Sequence, residues 1–329
     1  MRIAIDAMGG DLAPQAPVEG ALAAAREWPD TQLLLVGKPE AIKSHLGTNP
    51  PSNISIVEAM DTIEADDEPV RAVRRKANSS MVVAGRMVKE GQADAMISAG
   101  NTGALMTVGL LVVGRMEGIE RPGLTAILPT VDGVGVVALD LGANMDAKPE
   151  HLLQYALMGS RYREKVHGIA RPRVGLLNVG TEAAKGNEQS KAAFELLSGA
   201  PINFIGNVEA RDVLTRNCDV LVCDGFSGNI LLKAIEGAAE TVFGVLKTEL
   251  TSSWKSKLAA AILRPNFGRV RKMMDYKRYN GAPLLGVSGL VVKGHGSSNA
   301  EATMHAIRQA RTAVGNGLIS ALADDLGGK

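Results

Sequence analysis

Four segments of this sequence share one grammar, an apolar run followed by small and amide-bearing residues and then an amphipathic run. They are Ser98-Ala99-Gly100-Asn101-Thr102-Gly103-Ala104, Asn178-Val179-Gly180-Thr181-Glu182, Asp224-Gly225-Phe226-Ser227-Gly228-Asn229 and Lys293-Gly294-His295-Gly296-Ser297-Ser298-Asn299. Glycine lets backbone N–H groups approach an anion with no Cβ in the way, and a helix N-terminus behind the loop adds partial positive charge. One such loop is an ordinary strand-to-helix turn; four in one chain point to a site that holds phosphate. The candidate binding residues are Ser98, Gly100, Asn101, Thr102, Gly103, Gly225, Gly228, Lys293 and His295, and Asp224 and Asn229, at the two ends of the third loop, are catalytic candidates. The nearby cations are Lys293, Arg75 and Lys76 before Asn78-Ser79-Ser80, and Lys185 in Glu182-Ala183-Ala184-Lys185-Gly186-Asn187-Glu188. A lysine in a glycine-containing loop, off any helix face, has few structural reasons to be there, so Lys185 is the leading catalytic candidate. Ser298-x-x-Glu301 also fits a capping box, which assigns part of the fourth loop to helix capping.

Several other patterns fail. Gly133-Val134-Gly135-Val136-Val137-Ala138 matches G-x-G-x-x-A, but strand-like Leu139-Asp140-Leu141 follows where a dinucleotide site needs a helix. Gly225-Phe226-Ser227-Gly228 and Gly286-Val287-Ser288-Gly289 miss the nucleophile elbow by one position. The five histidines, His45, His151, His167, His295 and His305, show no paired spacing, and Cys218 and Cys223 add no zinc pattern. No metal and no cofactor are expected. The cysteines read as small buried residues of a reduced compartment.

The elements that must carry these loops alternate along the chain. Strand patterns cover Ile3–Asp6, Leu33–Val36, Ile54–Val57, Ala95–Ser98, Leu124–Leu128, Gly135–Leu139, Val174–Asn178, Asn203–Ile205, Val220–Cys223 and Gly289–Val292. Helical patterns such as Val18–Glu27, Val70–Glu90, Glu150–Tyr162 and Ser190–Leu197 come between them. Only 3% of residues are aromatic, so the core must be aliphatic, which suits parallel strands buried on both faces. The expected fold is α/β, a doubly wound, mostly parallel sheet with helices on both faces and an antiparallel section around Leu124–Leu139. With no internal repeat or linker, residues 1–329 read as a single catalytic domain, with a helical hairpin over 240–280 inserted in it. Net charge is +1, which gives no global field for nucleic acid. Met1-Arg2-Ile3-Ala4-Ile5-Asp6 opens at once as a strand pattern without a signal-peptide pattern, and the apolar stretch Ala104–Gly114 falls short of the about 20 residues of a membrane span. A cytoplasmic protein is expected.

Ile5-Asp6-Ala7-Met8-Gly9-Gly10-Asp11-Leu12-Ala13-Pro14, the Ser98–Ala104 loop, Lys185-Gly186-Asn187, Asp224–Asn229 and Gly281-Ala282-Pro283-Leu284-Leu285-Gly286 together resemble the bacterial phosphate acyltransferase family, from residue 1 to about 310. The resemblance implies reversible transfer of a long-chain acyl group from acyl carrier protein to inorganic phosphate, giving acyl phosphate for phospholipid synthesis. It also implies a homodimer, a fold similar to isocitrate and isopropylmalate dehydrogenases and phosphotransacetylases, and a role for the N-terminal loop residues Asp6, Gly9, Gly10 and Asp11. Attack of phosphate on a thioester needs an oriented phosphate, a stabilised oxyanion and a solvated or protonated thiolate, but no covalent enzyme intermediate. Backbone amides of Asn101–Gly103 and Gly225–Asn229 are expected to hold phosphate or oxyanion, Lys185 to supply charge and Asn229 to donate a side-chain N–H. Two positions depart from the family pattern: Ser227, often apolar or threonine there, and Asn280, often glycine.

Between 240 and 280, Lys247, Lys255, Lys257, Arg264, Arg269, Arg271, Lys272, Lys277 and Arg278 stand against Glu249 and Asp275. Phe243, Leu246, Leu250, Trp254, Leu258, Ile262 and Leu263 recur at helical spacing, giving a basic amphipathic hairpin bent near Arg264-Pro265. Trp254, Lys255, Lys257 and Leu258 are its candidate contacts with an anionic membrane at the inner face of the cell membrane, where a membrane acyltransferase would take the product; the same stripe also suits a dimeric helical bundle. The cations suit docking of an acidic carrier protein. The competing functions are an acyl-CoA-dependent phosphotransacetylase, a hydroxyacid dehydrogenase and a membrane-associated scaffold without catalysis; the dehydrogenase needs an aspartate metal cluster and a nucleotide loop that the sequence does not show, and the scaffold leaves the glycine loops without a use.

Overall fold

The computed structural model describes residues 1–274 and 281–326. Its strands are β1 (Arg2–Asp6), β2 (Gln32–Gly37), β3 (Ile54–Glu58), β4 (Ala95–Ser98), β5 (Gly123–Leu124), β6 (Ala126–Leu128), β7 (Val136–Leu139), β8 (Arg173–Asn178), β9 (Asn203–Glu209), β10 (Val220–Val222), β11 (Ala282–Leu285) and β12 (Leu290–Lys293). The helices are α1 (Gln15–Glu27), α2 (Pro39–Leu46), α3 (Pro69–Arg75), α4 (Ser80–Lys89), α5 (Thr102–Val108), α6 (Pro149–His167), α7 (Glu188–Ser198), α8 (Gly225–Thr251), α9 (Trp254–Met274), α10 (Ala300–Gly315) and α11 (Leu318–Leu326). The α/β class expected from the alternation holds. The chain packs as two compact units, the first of Met1–Ala126, Leu157–Pro172 and 281–326, the second of Ile127–Ala156 and 173–274. The divisions at Ala126 and Ala156 fall inside β6 and α6, so no linker composition marks them and the sequence reads as one domain.

In the first unit the sheet order is β3-β2-β1-β4-β12-β11-β5. Strands β3, β2, β1, β4 and β12 are parallel, and β11 runs antiparallel to both β12 and β5. Ile3, Ile5, Met96, Ile97, Leu290 and Val291 are all buried, the continuous apolar run of strands covered on both faces. The single strand expected over Leu124–Leu128 is divided between the two sheets. Thr125 is the cause, because its N–H and its hydroxyl both donate to Pro283 O, at 3.1 and 2.9 Å, where β5 meets β11. Strand β11 itself lies in a motif whose Pro and Gly conceal its pairing. The helix expected over Val70–Glu90 is interrupted between α3 and α4, because the Asn78-Ser79-Ser80 stretch turns to pair with Asp61, at 3.3 Å for Asp61 N–H to Asn78 O and 3.1 Å for Ser80 N–H to Asp61 O.

In the second unit the order is β6-β7-β10-β8-β9, with β7, β10, β8 and β9 parallel. The helical hairpin turns at Ser252-Ser253, not at Arg264-Pro265. Ser252 Oγ donates to Glu249 O at 2.7 Å and Ser253 Oγ accepts from Ser256 N–H at 3.1 Å, so two serines end one helix and begin the next. Helix α9 runs on through Pro265. Asp275, Lys277, Arg278 and Asn280 lie outside the described residues.

The amino-terminal edge of this second sheet is closed by charge. Asp219, 4% exposed, accepts from the Arg173 guanidinium at 3.1 Å and from Arg216 at 2.8 Å, and Arg216 also pairs with Asp132 at 2.7 Å. Burial opposes ionisation of Asp132, but hydrogen bonds from Thr130 and Arg216 prevail and hold it down at about 2. Asp219 is likewise lowered, its burial outweighed by Arg173 and Arg216. Both carboxylates are depressed, so their stabilisation is complete above the ordinary carboxylate range and is lost as pH falls towards about 2. Asp219→Asn should lower stability at pH 7 by about 2–3 kcal/mol, the arginines' partial exposure softening the loss. Urea titrations from pH 7 to pH 3 should show the gap to the unsubstituted protein narrowing with acidity.

Candidate active site

Strands β1, β4 and β12 are adjacent and parallel, so the loops that leave their carboxyl ends meet at one edge of the first sheet. Asp6, 3% exposed, receives the Ser98 hydroxyl on Oδ2 at 2.6 Å and Met8 N–H on Oδ1 at 3.1 Å. Burial raises its pKa against the hydrogen bonds of Ser80, Ser98 and two backbone amides. Ser98 Oγ accepts from Gly100 N–H at 3.1 Å, and Ser98 O accepts from Gly294 N–H at 2.8 Å. A Cβ on Gly9 would sit 2.6 Å from Asp6 Oδ2 and 2.8 Å from Gly100 N, so only glycine lets the first loop close on the second. Asp11 N–H reaches Gly296 O at 2.9 Å and ties in the third, while the Asp11 side chain and Gly10 lie nearer the surface.

Lys293, 9% exposed, sends its ammonium to Gly294 O and, at 3.5 Å, to Ala99 O. No carboxylate lies within salt-bridge distance of it among the described residues. Burial lowers its pKa to about 8, with Asp11 and Asp6 pulling the other way. His295 is exposed and its Nδ1 lies 2.9 Å from Ser297 Oγ. Asn101 caps α5, its Oδ1 accepting from Ala104 N–H at 3.0 Å while its Nδ2 donates to Ala65 O at 3.0 Å and Asp67 O at 3.1 Å. Its side chain is therefore structural. The N–H groups of Thr102 and Gly103 meet no acceptor among the described residues. The capping box expected at Ser298 shifts by one: Asn299 Oδ1 accepts from Ala302 N–H at 2.9 Å, and Ser298 turns back to His295 O.

In the second unit β7, β10 and β8 are adjacent and parallel, and their carboxyl-end loops form a second cluster. At its base is Asp140, fully buried, accepting from Asn144 N–H at 2.6 Å, Asn144 Nδ2 at 3.2 Å and Ala143 N–H at 3.1 Å. The loop so folded meets α8, where Gly225 N–H donates to Asn144 O at 2.9 Å, and α7, where Gln189 donates to Ala147 O. A Cβ on Gly228 would lie 2.1 Å from Asp140 O, so the approach of α8 depends on glycine there. Asp224, a catalytic candidate by sequence, is the N-cap of α8, its Oδ1 accepting from Ser227 N–H at 2.9 Å. Gly228 N–H goes to Asp224 O at 2.9 Å. Of this first turn only Phe226 N–H meets no acceptor among the described residues.

Asn229 is half-buried and makes no side-chain hydrogen bond among the described residues; its Cγ lies 3.7 Å from the position a Cβ would take on Gly142. The next loop, after β8, holds Lys185 in the open. Asn178 Nδ2 grips Lys185 O at 3.2 Å, Asn207 Nδ2 grips Glu182 O at 2.8 Å, and the ammonium is exposed with no ion pair among the described residues. Each cluster thus offers a lysine and unpaired donors suited to an anion, and the second adds an amide donor suited to a developing oxyanion. Asp140 and Asn144 are absent from the residues singled out by sequence. Their signal was present, a strand run ending in Asp with Gly and Asn close behind, but it lay just beyond the failed dinucleotide pattern.

The buried ammonium has a measurable cost. A lysine whose folded pKa is depressed destabilises the fold fully below about 8, and the cost disappears as pH rises from about 8 to about 10.5. Lys293→Met should therefore be more stable than the unsubstituted protein at pH 7, by about 2–3 kcal/mol, and in chemical denaturation the difference should shrink as pH rises from about 8 towards 10.5.

The chain has similar relatives. A family model described as "Fatty acid synthesis protein" matches residues 1–321. The phosphate acyltransferase of Brevibacillus brevis is 62% identical over 307 residues, covering 93% of this chain and 92% of that one. That of Bacillus anthracis is 57% identical over 323 residues, covering 98% and 97%. Among solved structures, a phosphotransacetylase from Streptococcus pyogenes superposes with a TM-score of 0.60 at 18% identity, covering 95% of this chain and 94% of that one. A branched-chain phosphotransacylase from Enterococcus faecalis gives 0.56 at 14% identity, covering 95% and 99%. These two share the fold. With the curated relatives matching almost end to end, the chain belongs to the phosphate acyltransferase family and is an enzyme that transfers acyl groups to phosphate.

Proposed function

We propose that the acyl group is a long-chain fatty acyl group, that its donor is the thioester of acyl carrier protein, and that the acyl phosphate formed is used in phospholipid synthesis. The observation that carries the catalytic part is the Asn229 amide, half-buried and without a hydrogen-bond partner among the described residues, one turn into a helix whose Phe226 N–H is also open. A phosphate oxygen attacks the thioester carbonyl carbon, the carbonyl oxygen takes up negative charge, and the C–S bond breaks as the tetrahedral species collapses. Asn229 Nδ2 and Phe226 N–H are the donors for that charge, and the exposed Lys185 ammonium draws in phosphate and offsets charge on the departing thiolate. In the first unit, Lys293 with the open amides of Thr102 and Gly103 binds an anionic group of a substrate.

The carrier-protein donor is supported by the exposed cations of the hairpin, Lys247, Lys255, Lys257, Arg264 and Arg269, with few acids between them. Peripheral contact with an anionic membrane is supported by Trp254, Leu258 and Ile262, which share one face of α9 and are 72%, 59% and 72% exposed, with Lys255 5.8 Å from the Trp254 ring centroid. No helix among the described residues is long and apolar enough to cross a membrane. A homodimer is supported by Val242, Val245 and Leu246 of α8, which are also exposed and would be covered by a second copy.

Purified protein offered long-chain acyl carrier protein and acyl-CoA in parallel should form acyl phosphate from the first, and only with inorganic phosphate present. Product from acyl-CoA alone would make the enzyme a phosphotransacetylase in its donor. Asn229→Ala should lower kcat by roughly 10²–10³ with little change in melting temperature; near-normal turnover would remove Asn229 from the site. In flotation with anionic vesicles the protein should rise with the lipid, and Trp254→Ser with Leu258→Ser should leave it at the bottom. Binding that survives both changes would contradict the membrane contact.

A further inference from the structure

The polar cluster of the second unit is bordered by apolar side chains open to solvent. Val179, directly after β8, is 82% exposed; Met145, in the loop after β7, is 50% exposed; Phe226 and Ile230, one turn apart on α8, are 59% and 54% exposed. Strands β7, β10 and β8 are adjacent and parallel, so all three segments leave the sheet at the same edge. The bonds from Gly225 N–H to Asn144 O and from Gln189 to Ala147 O hold them together there. Single exposed apolar residues need no explanation. Four of them, on two loops and one helix around one polar cluster, are not accounted for by phosphate or oxyanion chemistry, which calls for donors and charge.

We propose that Met145, Val179, Phe226 and Ile230 form the surface that binds the methylene chain of the fatty acyl group beside its reacting carbonyl. The inference rests on the acyl-transfer reading of this cluster and adds to it the part that selects for chain length. Asn229 lies three residues after Phe226 and Ile230 four, so Phe226 has both the amide proposed to receive the carbonyl oxygen and the Ile230 side chain as neighbours on α8. A fatty acyl group is itself a polar head continued by an apolar chain, and each methylene taken out of water favours binding by about fourfold. A second copy of the chain or a membrane pressed on the same surface would also cover Asn229 and Lys185, which must stay open to dissolved phosphate. The acyl chain is the apolar occupant that leaves them accessible.

The test compares palmitoyl and butyryl thioesters of acyl carrier protein as donors for the unsubstituted protein, Val179→Ser, Ile230→Ser and the conservative Ile230→Leu. Both serine variants should lose about tenfold or more in kcat/KM with the palmitoyl donor and less than about threefold with the butyryl donor, while Ile230→Leu keeps most of the long-chain preference. The altered positions are exposed, and unchanged melting temperatures will show that the variants fold. Equal losses with both donors, no loss with either, or a change in oligomeric state by light scattering would each overturn the proposal, the last by making the surface a contact between copies. If the unsubstituted protein forms no acyl phosphate from either donor, it is the reading of the cluster that fails, separately from the chain-binding surface.

Discussion

The arrangement of the second unit depends on how closely helix α8 approaches the backbone of Asp140. The Gly228 Cα faces Asp140 O with no room for a Cβ between them, and Gly225 N–H reaches Asn144 O from the same turn. Asp140 is fully buried, and its carboxylate is tied to Ala143 and Asn144, which folds the loop into the shape α8 meets. With Asp224 capping the first turn, three of its N–H groups are satisfied inside the protein, and Phe226 N–H and the Asn229 side-chain amide meet no partner among the described residues. Helix α8 then runs 27 residues from this point to the tip of the hairpin, a length of about 40 Å. One helix therefore carries the proposed oxyanion donors at its start and the exposed apolar surface at its far end.

Both units solve the same problem with the same device. Three adjacent parallel strands deliver three loops to one edge, and a buried carboxylate at the end of one of those strands, Asp6 or Asp140, organises the small residues around it. The sheets need no aromatic core, since Val, Leu, Ile, Ala and Met fill both faces. Charge that serves stability alone is kept elsewhere in the second unit, where Arg173, Arg216, Asp132 and Asp219 close the amino-terminal edge of the sheet. Lys293 is the exception to that separation. Its burial without a carboxylate within salt-bridge distance among the described residues lowers its pKa to about 8, an arrangement that fits the anion-binding role proposed for it.

Much of this was legible because parallel strands leave continuous apolar runs, and most of the strands expected from sequence match observed ones within one or two residues. Asn203–Ile205 is the partial match, since β9 continues to Glu209 around a bulge. The glycine loops were legible as loops, but not the use of each residue in them. Asp224 and Asn101 carry side chains suited to catalysis and serve as helix caps, a choice made by backbone geometry three residues further on. The division of Leu124–Leu128 between two sheets depends on Thr125 meeting Pro283, a contact 158 residues away that no local pattern records. The hairpin turn went to two serines and not to the proline: Ser252 and Ser253 end one helix and begin the next, while α9 continues through Pro265. Asp140 and Asn144 become visible as a pair only once α8 is folded against them.

In the proposed mechanism phosphate attacks the thioester directly, on a surface that supplies donors and charge but no nucleophile. The most direct measurement is exchange of label between acyl carrier protein thioester and free, isotopically labelled carrier protein in the absence of phosphate. Direct attack predicts no exchange until phosphate is added, because the acyl group never rests on the enzyme. Label appearing in the thioester pool without phosphate would show a covalent acyl-enzyme and contradict the account.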